Sequence, residues 1–574
     1  MVAEKLDRRS LLKGLAARSA AAVSLAAPLE LRTAAQAAGL QASVNAPVNA
    51  PRANPRLLFS PIGPTVEDAL VLPEGYSYQV VAAWEDAMGE GMTVGFNHDW
   101  VGYYPIDLLD KGLDLSNIAK GFLPDDSSND EGLLVINHEY VNTLYVSGYD
   151  ENDDTAVKTP EMVALEQEAV GIAVIHVARN AEGAWEIVQD APENRRLTGT
   201  TPMVMTGPAA EIDGGPEVVG TVANCSGGTT PWGTALSCEE NFQDYPVAAP
   251  NGYGWDAETY SKRHYGWVVE VDPFDPTSMP RKHTALGRFR HENVAIRVGE
   301  DGTVVAYMGD DRADCCVYKF VADQKLTDVN DREANMSILE SGKLYAANFG
   351  SGKWILLDYD EQTVLQEATN SDGELLFESQ VDVLGDARAA AIALRATPMD
   401  RPEDIEIHPL DGSVFIALTN NTGHGNFHGQ IVRLVEADDN PASEEFGWSI
   451  FAVGGPQSGF SAPDNMIFDG EGNLWVVTDI SSSSQNKGIF TFHANNGLFF
   501  FRTEGPYAGI AYQFASGPVE CEMTGPAWTP DGKTLFLSIQ HPGELTESVD
   551  EPTSRWPNGG EDKPRPATVA ITGF

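Results

Sequence analysis

Asp411-Gly412-Ser413-Val414-Phe415-Ile416-Ala417-Leu418-Thr419-Asn420-Asn421 opens on a turn, runs through an apolar strand and ends in polar residues. Glu471-Gly472-Asn473-Leu474-Trp475-Val476-Val477-Thr478-Asp479 does the same 60 residues later, and Asp531-Gly532 through Ile539-Gln540-His541 repeats it after another 60. A Gly beside an acidic residue marks a turn, and a short run of β-branched and aromatic residues marks a strand. Three earlier stretches follow the pattern at less regular spacing. They are Glu131-Gly132 through Asn137-His138-Glu139, Pro231-Trp232-Gly233 through Cys238-Glu239-Glu240-Asn241, and Asp301-Gly302 through Gly309-Asp310-Asp311. Self-similarity of this kind predicts a β-propeller with one blade per copy.

Six copies predict an all-β, six-bladed propeller with added loops and a few short helices. Ser341-Gly342 begins a partial copy that would raise the count to seven. Glu161–Ile175 and Ala387–Ala396 are the best helical candidates. If each copy is the same strand of its blade, all the polar endings reach one mouth of the central channel. Glu139, Glu239, Glu240, Asp311 and Asp479 then converge. Clustered carboxylates repel one another and need a cation to coexist. The repeat itself therefore predicts a metal site on the axis.

Composition agrees with that reading. The 574 residues carry 84 acidic against 37 basic side chains, a net charge of −47. Such a chain suits hard cations, which prefer carboxylate oxygens, and also suits a salty medium. It disfavours a nucleic-acid partner, whose phosphates demand a basic face, and anionic membranes for the same reason.

At the N-terminus, Asp7-Arg8-Arg9-Ser10-Leu11-Leu12-Lys13 has the twin-arginine pattern, followed by an Ala-rich apolar stretch and a small-residue cleavage site at Ala35-Gln36-Ala37. Residues 1–37 are thus expected to be a Tat signal peptide, its partner the Tat export machinery and its destination the periplasm or the medium. Its removal leaves a chain near −50. No later stretch approaches the roughly 18–20 apolar residues of a membrane span, so the mature chain is expected to have no integral membrane segment. Residues 38–66, rich in Ala, Pro and Asn, read as an extended lead-in, and 67–574 as a single propeller domain.

Four segments carry a family resemblance. They are Asn224-Cys225-Ser226-Gly227-Gly228-Thr229-Thr230-Pro231-Trp232-Gly233-Thr234 with Cys238-Glu239-Glu240, Gly287-Arg288-Phe289-Arg290-His291-Glu292, Tyr307-Met308-Gly309-Asp310-Asp311 with Tyr318-Lys319-Phe320-Val321, and Arg401-Pro402-Glu403-Asp404. A single Cys among carboxylates suits a mixed cluster better than a zinc finger, which wants four N or S ligands. Arg401 and Glu403 are two apart and share a side if the segment is extended. A guanidinium fork matches phosphate oxygens.

In order and content these segments resemble the PhoX alkaline phosphatases over most of residues 70–545. Asp464-Asn465, Gly472-Asn473-Leu474-Trp475 and Gln540-His541-Pro542-Gly543-Glu544 fit as well. The resemblance implies a phosphatase acting on phosphate monoesters, with diesters as a lesser class, at a site of two Fe³⁺ and bridging Ca²⁺. It implies that Cys225 is a thiolate ligand of iron, that Glu240 and Asp311 bind calcium, that Glu292 and Glu403 bridge metals and that Arg401 holds the substrate phosphate. Glu139, Glu239 and Asp479 are additional metal candidates. The metals would supply the nucleophile, so no Ser or His triad is required.

Other roles compete. Cys225 and Cys238 could instead form a disulfide, and with five cysteines at least one thiol is otherwise employed. His138 and His291 each precede a Glu and read better as hydrogen-bonding supports than as ligands. Asp404 reads as a loop cap, and Asn421–Gly429 with His424 and His428 as a loop on the rim. Two rival functions remain: a calcium-dependent lactonase-like hydrolase and a non-enzymatic binding propeller. The first has no use for a thiolate or a phosphate-clamping Arg, and the second would tolerate loss of Cys225.

Overall fold

The computed structural model describes residues 57–113, 127–153, 155–247, 252–256 and 260–574. The expected signal peptide and the lead-in up to residue 56 lie outside them. Six sheets form a ring. Their innermost strands, in chain order, are His98–Pro105, Asn224–Thr229, His291–Val298, Pro402–Ile407, Pro463–Phe468 and Glu522–Trp528. Each innermost strand touches the next, and the sixth touches the first. Ser77–Ala83 pairs with Ala567–Thr572, so a strand from near the start of the described chain completes the last blade.

All six sequence copies are the second strand of their blades: Glu131–His138, Ala235–Glu239, Thr303–Asp310, Val414–Leu418, Leu474–Thr478 and Thr534–Gln540. The seventh, partial copy is not a blade. Gly342–Asn348 is the fourth strand of the third sheet. The cause of the repeat is packing. Second strands are covered on both faces by neighbouring blades, so they read as continuous apolar runs. Val305, Tyr307, Ile405, Ile416 and Val432 fill the space between blades three and four, and Phe415, Ala417, Met466, Val476 and Phe499 that between four and five.

The two helical expectations fare differently. Ala387–Ala393 is a helix capped by Asp386, whose side chain accepts from Ala389 N at 3.1 Å. The helix expected over Glu161–Ile175 stops at Ala169, having begun at Pro160 behind the Thr159 cap. Its second half is instead the strand Gly171–Arg179. The β-branched run after Gly171 belongs to a sheet, and Gly171 turns the chain there at φ +100°, where an added Cβ would meet Leu197 O at 2.0 Å.

One local device recurs in every blade. The innermost strand pairs with the second strand at the channel mouth, then carries one extra residue. The mouth pairs are His98 with His138, Asn224 with Glu239, His291 with Asp310, Pro402 with Leu418, Pro463 with Thr478 and Thr524 with Ser538. After each, the inner strand advances three residues while its partner advances two, which is a β-bulge. A bulge bends its strand and re-aims a side chain. Here the first bulged residues are Asp99, Cys225, Glu292, Glu403, Asp464 and Gly525.

Candidate metal centre

Five of the six bulges thus present a carboxylate or a thiol at one mouth of the channel. Two more carboxylates, Glu139 and Glu240, follow the ends of the second strands of blades one and two. Together they make three adjoining groups: Asp99, Glu139 and Cys225; Cys225, Glu240 and Glu292; Glu292, Glu403 and Asp464. Within each, one ligand atom per residue lies within 4.8 Å of the others, and every member is buried. Cys225 and Glu292 each belong to two groups, so the three are one continuous cluster.

The backbone at the bulges is held from blade to blade. Asn137 Nδ2 donates to Cys225 O at 2.8 Å and Asn293 Nδ2 to Ile405 O at 2.8 Å. Met466 N donates to Asp404 Oδ2 at 2.5 Å, and Gly525 N to Asn465 Oδ1 at 2.8 Å. Asp404 is therefore a buried tie between blades four and five rather than a loop cap. His138 Nδ1 donates to Phe96 O at 2.9 Å and His291 Nε2 to Gly287 O at 2.8 Å, so both rings brace backbone beside the cluster.

The electrostatics call for cations. Burial, then Glu403 and Asp464, pushes Glu292 well above the usual carboxylate range, and Glu139, Glu403 and Asp464 rise for the same first reason. Asp99 is pushed up to about 7, mainly by burial. Burial and the neighbouring Asp99 and Glu292 push the Cys225 thiol up as well. A buried anionic cluster without a counter-charge is costly. Glu240 Oε1 and Asp99 Oδ1 are buried and accept no hydrogen bond from the described residues. Oxygens left free in this way, beside one sulfur, are a donor set that fits hard cations together with a metal that accepts thiolate.

The remaining expected residues are placed differently. Glu239 lies next to Glu240 in sequence but faces away, as alternation along a strand requires. Its Oε1 accepts from Lys282 Nζ at 2.7 Å and Thr221 Oγ1 at 2.9 Å, and its Oε2 from Gly266 N at 2.9 Å. That carboxylate is spent on structure. Asp311 lies outside the three groups, with both oxygens on Arg401: Oδ1 accepts from Nε at 2.8 Å and Oδ2 from Nη2 at 2.7 Å. Burial alone would raise Asp311, but the guanidinium outweighs it and holds Asp311 below the usual range. Arg401 Nη2 also lies 2.9 Å from Glu403 Oε1. Asp479 is outside the groups too, near enough to Arg401 to feel its charge. All five cysteines are buried and free, so Cys225 and Cys238 are not joined.

Sequence reading missed Asp99 and Asp464 as site residues. A signal for them exists. His98-Asp99 echoes His138-Glu139 and His291-Glu292, and Pro463-Asp464 echoes Pro402-Glu403. Gln540 was also missed: its Nε2 donates to Asp99 Oδ2 at 2.9 Å and Glu139 Oε2 at 3.0 Å.

A family model described as alkaline phosphatase PhoX matches residues 57–543. The chain belongs to the PhoX alkaline phosphatase family. It is accordingly a metal-dependent phosphoric-ester hydrolase. Among solved structures it is similar to Pseudomonas fluorescens PhoX in complex with vanadate, a transition-state analogue, with 33% identity, a TM-score of 0.76, and 90% of this chain and 97% of that one covered. A protein of unknown function from Dyadobacter fermentans matches at 9% identity and a TM-score of 0.39, covering 87% of this chain and 99% of that one. A gluconolactonase from Xanthomonas campestris matches at 10% identity and 0.28, covering 84% and 98%. No curated protein matches the chain in sequence. No helix of the described residues in this PhoX protein is long and apolar enough to cross a membrane.

Proposed function

We propose that this PhoX-family chain is an exported phosphatase that hydrolyses phosphate monoesters, and some diesters, at a cluster of two Fe³⁺ and several Ca²⁺. The observation that carries the reading is the sharing of Cys225 and Glu292 between adjoining ligand groups. Cys225 would ligate iron, Glu292 and Glu403 would bridge, and Glu139, Glu240, Asp99 and Asp464 would complete the oxygen ligands. Bound there, the cations supply Lewis acidity and positive charge for displacement at phosphorus.

The chain's own residues do the rest. Asp311 and Glu403 hold Arg401 through Nε and Nη2. Those bonds do not use Nη1, which is left to meet a phosphate oxygen. A fixed guanidinium stabilises the charge of the transferring group without reorganising at the moment of reaction. Arg401 is partly open, with its side chain 29% exposed, whereas the cluster beside it is buried. The ester therefore meets Arg401 at the mouth with its phosphate directed inward.

Two broader points support the setting. Closure of the ring by Ser77–Ala83 supports reading 67–574 as one catalytic propeller. The twin arginines Arg8 and Arg9 support export through the Tat machinery to the periplasm or the medium. The test is elemental analysis of the purified protein beside a phosphomonoester assay. Iron and calcium with turnover are expected. Active protein without iron overturns the metal assignment, and iron-loaded protein without phosphatase activity overturns the reaction.

A further inference from the structure

Arg401 reaches Asp311 from a backbone that residues other than glycine seldom adopt, with φ +59°. Such a conformation persists where the surroundings over-determine it. On the C-terminal side, Pro402 pairs with Leu418, and Thr419 N donates to Arg401 O at 3.1 Å. On the N-terminal side, Met399–Asp400 forms a small ribbon with Ala313–Cys315, just beyond Asp311.

His424 spans that ribbon. Its Nδ1 lies 2.6 Å from Asp400 Oδ1 and its Nε2 3.0 Å from Asp314 Oδ1. Two amides of the same loop repeat the link. Asn426 Nδ2 donates to Asp400 Oδ2 at 3.0 Å, and Asn421 Nδ2 to Asp314 Oδ1 at 3.1 Å. The loop is itself closed, because Asn421 N donates to Asn426 O at 2.7 Å and Asn426 N to Asn421 O at 3.0 Å.

With a proton on each ring nitrogen, His424 donates to both carboxylates that flank the Arg401–Asp311 fork in the chain. Asp400 directly precedes Arg401, and Asp314 follows Asp311 by three residues. His424 and Asp314 are open to solvent, their side chains 39% and 61% exposed, while Asp400 is 14% exposed and Asn421 is buried. Isolated exposed ion pairs stabilise a fold little. Several directional bonds converging on the neighbours of one guanidinium do fix its orientation.

We infer that His424 is a positioning residue for phosphate binding, bracing Asp400 against Asp314 so that Arg401 faces the channel mouth. The inference rests on the reading of Arg401 as the phosphate clamp. It is tested with His424→Ala, His424→Gln, Arg401→Ala and the His424→Ala/Arg401→Ala pair. The measurements are KM and kcat for a phosphomonoester, the inhibition constant of inorganic phosphate, bound metal and melting temperature.

His424→Ala is expected to raise KM and the phosphate inhibition constant about tenfold, a typical effect of removing an orienting partner. Its kcat should change less, and its metal content and melting temperature should stay as in wild type. His424→Gln keeps a donor and should recover part of the affinity. In the Arg401→Ala background, His424→Ala should add nothing, since residues that act as a unit are not additive.

Wild-type phosphate affinity in His424→Ala, or a full further loss on top of Arg401→Ala, overturns the brace and leaves the clamp standing. Wild-type phosphate affinity in Arg401→Ala overturns the clamp and the brace with it. Loss of bound metal in His424→Ala assigns the residue to the metal centre and also overturns the brace. If His424→Ala is unstable, Asn426→Ala cuts the parallel link to Asp400. A raised phosphate inhibition constant there supports the brace, and a wild-type one overturns it.

Discussion

Cys225 Sγ donates to Glu292 Oε2 across 3.1 Å, from the bulge of blade two to the bulge of blade three. This contact makes one cluster out of adjoining ligand groups. It also places a sulfur donor against a carboxylate that serves two groups, so whatever binds Cys225 is coupled to what binds Glu292.

Cys225→Ala should remove iron and with it any visible charge-transfer colour, because a ferric thiolate is the expected chromophore. Absorption spectra and elemental analysis of the variant check this. Iron content and colour equal to wild type would show that Cys225 is not a ligand. The fold should survive, since the thiol adds little to the core.

Stripping the cations should abolish turnover and lower the melting temperature, and calcium should restore at least part of both. A ligand that binds only the folded state stabilises it by mass action. The stripped protein should also acquire a pH dependence. Its Asp99 is raised to about 7, largely by burial, and Glu139, Glu292, Glu403 and Asp464 are raised as well. Unfolded carboxylates titrate near about 4. Between those values the folded state holds the extra protons, so stability falls as pH rises through the window and is greatest at its acid end. Melting curves from about pH 5 to about pH 8, with and without calcium, test the sign. A stripped protein that melts higher at the alkaline end would contradict it.

Arg401→Ala should keep its metals, since Arg ligates neither. Phosphomonoester hydrolysis should drop by roughly 10²–10³, the usual consequence of losing one charge-stabilising donor. Arg401→Lys should recover only part, because an ammonium cannot reproduce the fork. Wild-type turnover in purified Arg401→Ala would place the clamp elsewhere.

Lys282→Met should destabilise by about 3–5 kcal/mol, because it strands the fully buried Glu239 without its partner. Bound metal per folded molecule should not change. Denaturant unfolding and metal analysis measure the two effects separately. A loss of metal from folded Lys282→Met would return Glu239 to the ligand set.

Much of this protein is written locally. Second strands of a propeller are packed on both faces, so each must be an apolar run between turns, and Asp411–Asn421, Glu471–Asp479 and Asp531–His541 show it without a partner in view. Their equal standing in separate blades also makes the convergence of their ends readable, and the expectation that Glu139 and Glu240 meet at the mouth rests on it. What the sequence could not decide was which polar ends point inward. Glu239 and Glu240 are adjacent and alike, and only pairing with Lys282 turns one into structure and leaves the other in the cluster. Asp99 and Asp464 depend on one extra residue in the inner strand, a register property that exists only once two strands are paired. The meeting of Arg401 with Asp311, 90 residues apart, is likewise a product of blade packing. Local physics sets the strands and their ends. The direction of each side chain at the mouth is set by bulges and long-range partners, which belong to the folded ring.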